Sequence, residues 1–255
     1  MLKNRAAVIS ATWVAIIVFV ASASWAGSPA KIDISPPALA IGAFFAGKDV
    51  KISGRLEPGE QAVVEIIGPK KNAEFHIKQR VGGLWMNHGK VAFEKAPFLY
   101  VLLLPGAAGL EQRLEALPIG LKNLKKSIRL HPEGLDQEKL FDQFFGLKSE
   151  QKLYGRHPQA VHYRKTDDGA RIYETTFHFP ASTIPGDYQV IATILRDNGE
   201  TLRASRIYTV AESGMVKYIH VLAAHHELAY GTLSVLIALF VGAVIGVFFK
   251  QSGAH

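Results

Sequence analysis

The chain of 255 residues contains no cysteine. This excludes disulfide staples, thiol redox chemistry, lipoprotein-type or c-type haem attachment, and zinc sites built on thiolates. Gly-x-Ser-x-Gly, His-Glu-x-x-His and a phosphate-cradling glycine loop are also missing. The chain therefore offers no nucleophile elbow, zinc helix or nucleotide loop. Asp167 and Asp168 are adjacent carboxylates, but they fall in the turn-forming stretch Thr166-Asp167-Asp168-Gly169, where a solvated turn accounts for them. No catalytic residue, metal ligand or cofactor is assigned, and an enzyme is not expected. One further absence is the most informative: no charge interrupts 228–249, between Glu227 and Lys250. About 20 apolar residues cross the ~30 Å hydrocarbon core of a bilayer, so this run predicts one transmembrane helix.

The other end is apolar in a different way. Lys3 and Arg5 precede an apolar stretch over 6–20, and the small residues Ala21, Ser22, Ala23, Ser24 and Ala26 follow it. Basic, apolar and small-residue regions in that order describe a secretory signal peptide. It is assigned to 1–26, with cleavage after Ala23 or Ala26; retention of 6–20 as an anchor is the competing reading. The two ends together predict a single-pass protein of the inner (cytoplasmic) membrane. The main domain would lie in the periplasm and the tail 250–255 in the cytoplasm, where Lys250 agrees with the positive-inside tendency. The formal charge of +7 falls to about +5 once Lys3 and Arg5 are removed. A mild excess of this kind suits anionic lipid heads or small anions, while export argues against nucleic acid as a partner.

The exported part, about 185 residues, is long enough to bury a core. Short strands are expected over 38–45, 49–56, 61–67, 73–81, 84–87, 91–94 and 97–104, with Asn87-His88-Gly89-Lys90 read as a hairpin tip. The nearly continuous apolar run over 97–104 fits a strand buried on both faces. Leucines at helical spacing then predict about three short helices within 107–154, the third over 135–145 and ending at Gly146. Strands return over 160–164, 171–180, 187–196 and 200–210. Tyr173, Thr175, Phe177 and Phe179 share one face by the period of two. Asn198-Gly199 marks a hairpin, and Tyr188 after Pro185-Gly186-Asp187 matches the pattern of a tyrosine corner, with Val190 at the core position. The expected fold is mainly β: an antiparallel sandwich, for which an immunoglobulin-like form is one candidate, divided into 27–106 and 155–213 by the helical insertion 107–154. A juxtamembrane segment, 214–227, is expected to run helically into the span.

Four kinds of candidate residue stand out. Ser234, Ala238, Gly242 and Gly246 recur every four residues in the span and form a small-residue stripe suited to close helix–helix contact. The general frequency of Gly and Ala in membrane helices is the alternative account. Trp85, Asn87 and Tyr100 lie in aromatic-rich stretches expected to be near each other, as core packing or as a recognition patch. His220, His225 and His226 cluster beside the span, but their spacing suits solvated interfacial histidines better than metal ligation. Lys122, Lys125, Lys126 and Arg129 read as a solvated helix face or, more sharply, an anion contact.

Taken as an ordered set, Gly68-Pro69, Gly83-Leu84-Trp85-Met86-Asn87, Pro97 with Tyr100, Phe177 with Pro180, Gly186-Asp187-Tyr188 and the C-terminal span resemble the alphaproteobacterial putative transmembrane protein family. The resemblance covers nearly all of the exported part and the anchor, and carries over no catalytic or binding residues. It implies a place beside permeases of the sulfite exporter TauE/SafE type. The function it implies is a membrane-anchored periplasmic accessory protein, touching the lipid bilayer and either a multi-pass permease or a second copy through the helix. A periplasmic binding module for a small anion, such as a sulfur oxyanion or sulfonate, is the alternative.

Overall fold

The computed structural model describes residues 31–107, 109–132, 136–167 and 169–250. The expected signal peptide over 1–26, the tail beyond Lys250, Leu135 and Asp168 lie outside the described residues.

In chain order the strands are β1 (Asp33–Ser35), β2 (Leu39–Ile41), β3 (Gly47–Leu56), β4 (Gln61–Ile67), β5 (Lys70–Val81), β6 (Leu84–Pro97) and β7 (Tyr100–Pro105), then β8 (Arg129–His131), β9 (Tyr154–Lys165), β10 (Arg171–Pro180), β11 (Gly186–Leu195) and β12 (Thr201–Glu212). The helices are α1 (Leu110–Glu115), α2 (Leu121–Ser127), α3 (Gln137–Glu150), α4 (Gly214–His225) and α5 (Glu227–Lys250). Nine strands form one mixed sheet in the order β1-β3-β10-β9-β7-β4-β11-β12-β2, and β5-β6-β8 form a second, smaller sheet. The mainly β fold, its helical insertion and its C-terminal helix are as the sequence predicts. The pairings are antiparallel except β12 with β2 and β7 with β9.

The large sheet curls until its two limbs meet. Along β10 every second side chain is buried, Tyr173, Thr175, Phe177 and Phe179 facing inward. Phe179 meets Tyr188 of β11 edge-on at 5.4 Å and Tyr208 of β12 at 5.7 Å, so aromatic rings from both limbs share one core with Val50, Ile52, Val64 and Ile66. Tyr188 is fully buried and its hydroxyl donates to the Ile184 carbonyl at 3.0 Å. This is the backward hydrogen bond of a tyrosine corner, and Val190 two residues on is buried, as the sequence predicts.

β7 reads as a continuous apolar run because it is covered on both faces, as is β4 beside it. Val64 and Ile66 enter the inter-limb core. Val63, Leu102, Leu104 and Leu195 face outward under Leu110 and Leu114 of α1 and Ile119 beyond it. The insertion is thus the second cover of the sheet.

Three local expectations are corrected. Residues 84–97 make one strand, and the hairpin turns at Gly82-Gly83, whose φ values of 59° and 88° suit a tight primed turn. The register shifts between Ile77 and Lys78, opposite Gly89 and Asn87, leaving His88 out of the pairing, so the stretch read as a tip is an irregularity in a ladder. α3 runs through Gly146 to Glu150, because the packing of Phe141 and Phe144 outweighs a single poor helix former. The juxtamembrane helix does not run unbroken into the span: His226 leaves helical geometry at φ −136° and ψ 58°, separating α4 from α5.

Candidate functional site

Three places collect the residues that sequence reasoning singled out or missed: a cleft under the insertion, an aromatic cluster under the long hairpin, and the terminal helix.

Glu65 stands in the middle of the β-branched run of β4. By the period of two it shares the outward face with Val63, the face the insertion covers. It is 3% exposed. Tyr100, at the start of β7, donates its hydroxyl to Glu65 Oε1 at 2.6 Å and accepts the Gly120 amide at 2.8 Å. Arg203 of β12 reaches the other carboxylate oxygen at 3.4 Å. Burial pushes the Glu65 pKa above its ordinary value near 4.5, and the Tyr100 hydroxyl and Arg203 oppose this only in part. This network joins β4, β7, β12 and the start of α2. Beside it opens a cavity of about 620 Å³ lined by Tyr100, Ile119, Gly120, Lys122, Lys126 and Arg156. Arg156 pairs with Glu111 across its mouth, and Lys122 lies 3.8 Å from Glu115.

The network makes a pH prediction. A carboxyl whose folded pKa is raised binds its proton more tightly folded than unfolded. Its contribution is full below the unfolded pKa and is lost as pH rises through the folded one. Tyr100→Phe removes a donor that favours the ionised form and leaves Glu65 Oε1 buried without it. The expected cost is about 1–3 kcal/mol, larger at about pH 8 than at about pH 5, whereas Glu65→Gln flattens that difference. Urea melts of the three proteins at the two pH values check it; equal losses for Tyr100→Phe at both would exclude the coupling.

The aromatic cluster holds the hairpin. Phe93 of β6 stacks on Phe144 of α3 at 4.3 Å with ring planes 13° apart, and Phe75 of β5 meets Phe144 edge-on at 5.7 Å. Phe144 in turn packs edge-on against Tyr154 of β9 at 5.8 Å, tying the cluster to the large sheet. Lys148 lies over the Phe98 and Phe144 rings at 5.5 and 5.7 Å, and burial lowers its pKa.

The terminal helix is the reverse of a core helix. Residues Glu227–Phe249 are long and apolar enough to cross a membrane, and the apolar window is not buried anywhere in the structure. Leu236, Leu239, Phe240, Val241 and Phe248 are all exposed. An apolar cylinder of this size is untenable in water. Ser234, Ala238, Gly242 and Gly246 lie exposed along it. Ser234 bonds back to the Tyr230 carbonyl at 2.8 Å, and a methyl group added at Gly242 or Gly246 would meet no atom within 4 Å.

The other sequence candidates fall apart spatially. Trp85 and Asn87 pair with Arg80 and Lys78 near the hairpin turn, in the small sheet, whereas Tyr100 pairs with Ile67 in the large one. The expectation that these stretches are neighbours is corrected: the chain leaves the large sheet at Gly68 and returns at Leu99, sealing the exit with Gly68 N–H to Leu99 O at 2.7 Å and Phe98 N–H to Pro69 O at 2.8 Å. His220 pairs with Glu212 at 2.8 Å rather than joining His225 and His226, and no cluster of potential metal ligands occurs among the described residues. Lys125 lies 3.7 Å from Glu138 and 5.3 Å from the Phe141 ring, so the basic face of α2 is partly spent on the insertion itself. Asp167 sits in the turn before β10, closed by the Gly169 amide to the Thr166 carbonyl at 2.8 Å. Glu65 was missed: a single acid in a strand gives no local sign of burial.

A β-rich domain followed by one exposed, membrane-length apolar helix defines a membrane protein with a C-terminal anchor. The chain belongs to the family described as Putative transmembrane protein (Alph_Pro_TM), whose model matches residues 30–251, domain and helix together. No curated protein matches it.

Proposed function

We propose that this protein is a membrane-anchored accessory protein. Its β-domain would be exported to the periplasm, and its helix α5 would dock against a multi-pass permease of the inner membrane, the TauE/SafE type being the partner the family resemblance implies. The observation that carries this reading is the exposed helix with its small-residue side, Ser234, Ala238, Gly242 and Gly246, on a chain whose described residues hold no metal-ligand cluster. Small residues let a second helix approach closely enough for backbone packing in lipid, where no hydrophobic drive separates helix from tail. Self-association through the same face is the competing outcome.

Purification from native membranes in mild detergent, before and after Gly242→Leu with Gly246→Leu, tests it. The permease is expected to be recovered with the native protein and to be depleted several-fold with the variant, because two leucines hold the helices apart. Unchanged recovery excludes the stripe as the contact, and recovery of a second copy alone assigns it to a homodimer.

The cleft supports a second reading, a module for a small anion. Lys122, Lys126 and Arg156 face Glu111 and Glu115 around it, leaving a basic excess, and Tyr100 closes its floor. Calorimetric titration of the full chain with sulfite and simple sulfonates decides this; no heat across the panel refutes it.

A further inference from the structure

We propose that the β5–β6 hairpin dips into the lipid surface, its tip resting in the headgroup region of an anionic leaflet at the side where the anchor helix enters. The proposal rests on the membrane anchoring described above and needs no partner protein.

The hairpin leaves the domain where the anchor does. β4 and β12 run the same way along β11, since Ile67 and Ile207 both pair with Gln189. β4 then gives way to Gly68-Pro69 and the hairpin. β12 gives way to Ser213 and α4, and Gly186, paired with Val210 near the end of β12, lies against Pro69: a methyl group added there would be 3.0 Å from its Cγ. The root of the hairpin therefore stands beside the strand that feeds the membrane helix.

Among the described residues, the packing of the hairpin is seen in its lower half. Phe75, Val91 and Phe93 are held against α3. From Phe75 to Val81 the strand continues for about 20 Å at ~3.3 Å per residue. At its tip Leu84 and Met86 share one face and are 71% and 54% exposed. Arg80, whose strand partner is Trp85 between them, is fixed at the turn on the other face, its Nε donating to the Gly83 carbonyl at 3.3 Å. Between Phe75 and Val91 the sequence carries His76, Lys78, Arg80, His88 and Lys90 and no acidic residue.

Exposed apolar side chains at a turn, flanked by cations alone, match the layered chemistry of a membrane interface: acyl boundary for leucine and methionine, phosphate for arginine and lysine. They do not match water, in which a tight turn favours polar residues, nor an acidic protein surface, which would leave the apolar tip unmatched.

The absence of cysteine allows a single thiol to be placed at will. Full-length protein carrying Leu84→Cys, labelled with a polarity-sensitive fluorophore, is reconstituted into phosphatidylcholine vesicles with or without phosphatidylglycerol, each containing nitroxide-labelled lipid. Asn198→Cys, in the turn at the opposite end of β11 and β12, is the reference. Co-flotation with vesicles reports the anchor separately from the tip. The expected result is several-fold stronger quenching at 84 than at 198 in anionic vesicles, falling about fivefold for each of Arg80→Glu and Lys90→Glu. Both positions are exposed, so folding is preserved, and an unchanged melting curve verifies this. Equal, water-like signals at 84 and 198 in floated protein overturn the proposal while leaving the anchor intact. Burial of the probe only in native membranes, and not in pure lipid, also overturns it, in favour of a protein partner.

Discussion

Leu236→Arg combined with Leu239→Arg is expected to release the protein from the membrane. Both residues lie near the middle of α5 and are exposed, 58% and 66%, with lipid as the only medium that suits them. A positive charge at the centre of a spanning helix costs about 2.5–3.5 kcal/mol on insertion scales. Two together approach about 6 kcal/mol, on the order of 10⁴ in partition. Leucine to alanine at the same positions removes apolar area without adding charge and should leave the protein anchored. Alkaline carbonate extraction distinguishes them: native and alanine forms stay with the membrane pellet, and the arginine form appears in the supernatant or is degraded. An arginine form that still resists extraction would mean that the helix is held by protein contacts and not by lipid.

Phe144→Ala is expected to be the most destabilising single change in the insertion. Its ring is 3% exposed and makes the contacts that connect the hairpin to α3 and α3 to the large sheet through Tyr154. Truncating a buried phenylalanine costs about 3–5 kcal/mol through lost transfer energy and the cavity left behind. That is a large part of a typical domain stability of about 5–15 kcal/mol. The loss should be local first: Phe144 belongs to the same buried core as Phe179, Tyr188 and Tyr208, but its own ring contacts run to Phe75, Phe93, Phe145 and Tyr154 and to none of those three. Hydrogen exchange should therefore show β5, β6 and α3 losing protection while β10 and β11 keep theirs, and denaturant melts should shift to a lower midpoint. A shift worth less than about 1 kcal/mol would show that the cluster collapses around the gap. A uniform loss of protection would show that hairpin and large sheet unfold as one unit.

These two experiments probe the parts of the protein that stand at opposite ends of legibility. The helix was plain in the sequence because a bilayer imposes a length and a polarity on consecutive residues, and consecutive residues are what a sequence displays. β10 was equally plain, since burial of one sheet face writes a period of two into Tyr173, Thr175, Phe177 and Phe179. The tyrosine corner at Tyr188 was readable because its hydrogen bond reaches only to Ile184. A local signal can also be ambiguous: Gly82-Gly83 and Asn87-His88-Gly89-Lys90 are both turn-like, and only the pairing of Val81 with Leu84 decides between them.

By itself, then, the sequence determined the periodicities, the membrane-length helix and the corner, because each follows from neighbours along the chain. Tertiary structure alone decided that Glu65 is buried against Tyr100 and Arg203, that Trp85 and Tyr100 belong to different sheets, that β7 closes onto β9 in parallel, and that hairpin and anchor leave from one end. Those facts depend on which distant parts of the chain meet, as when Arg203 reaches Glu65 across 138 residues. Such pairings are chosen by the burial of whole faces against one another, a quantity that no short stretch of residues contains.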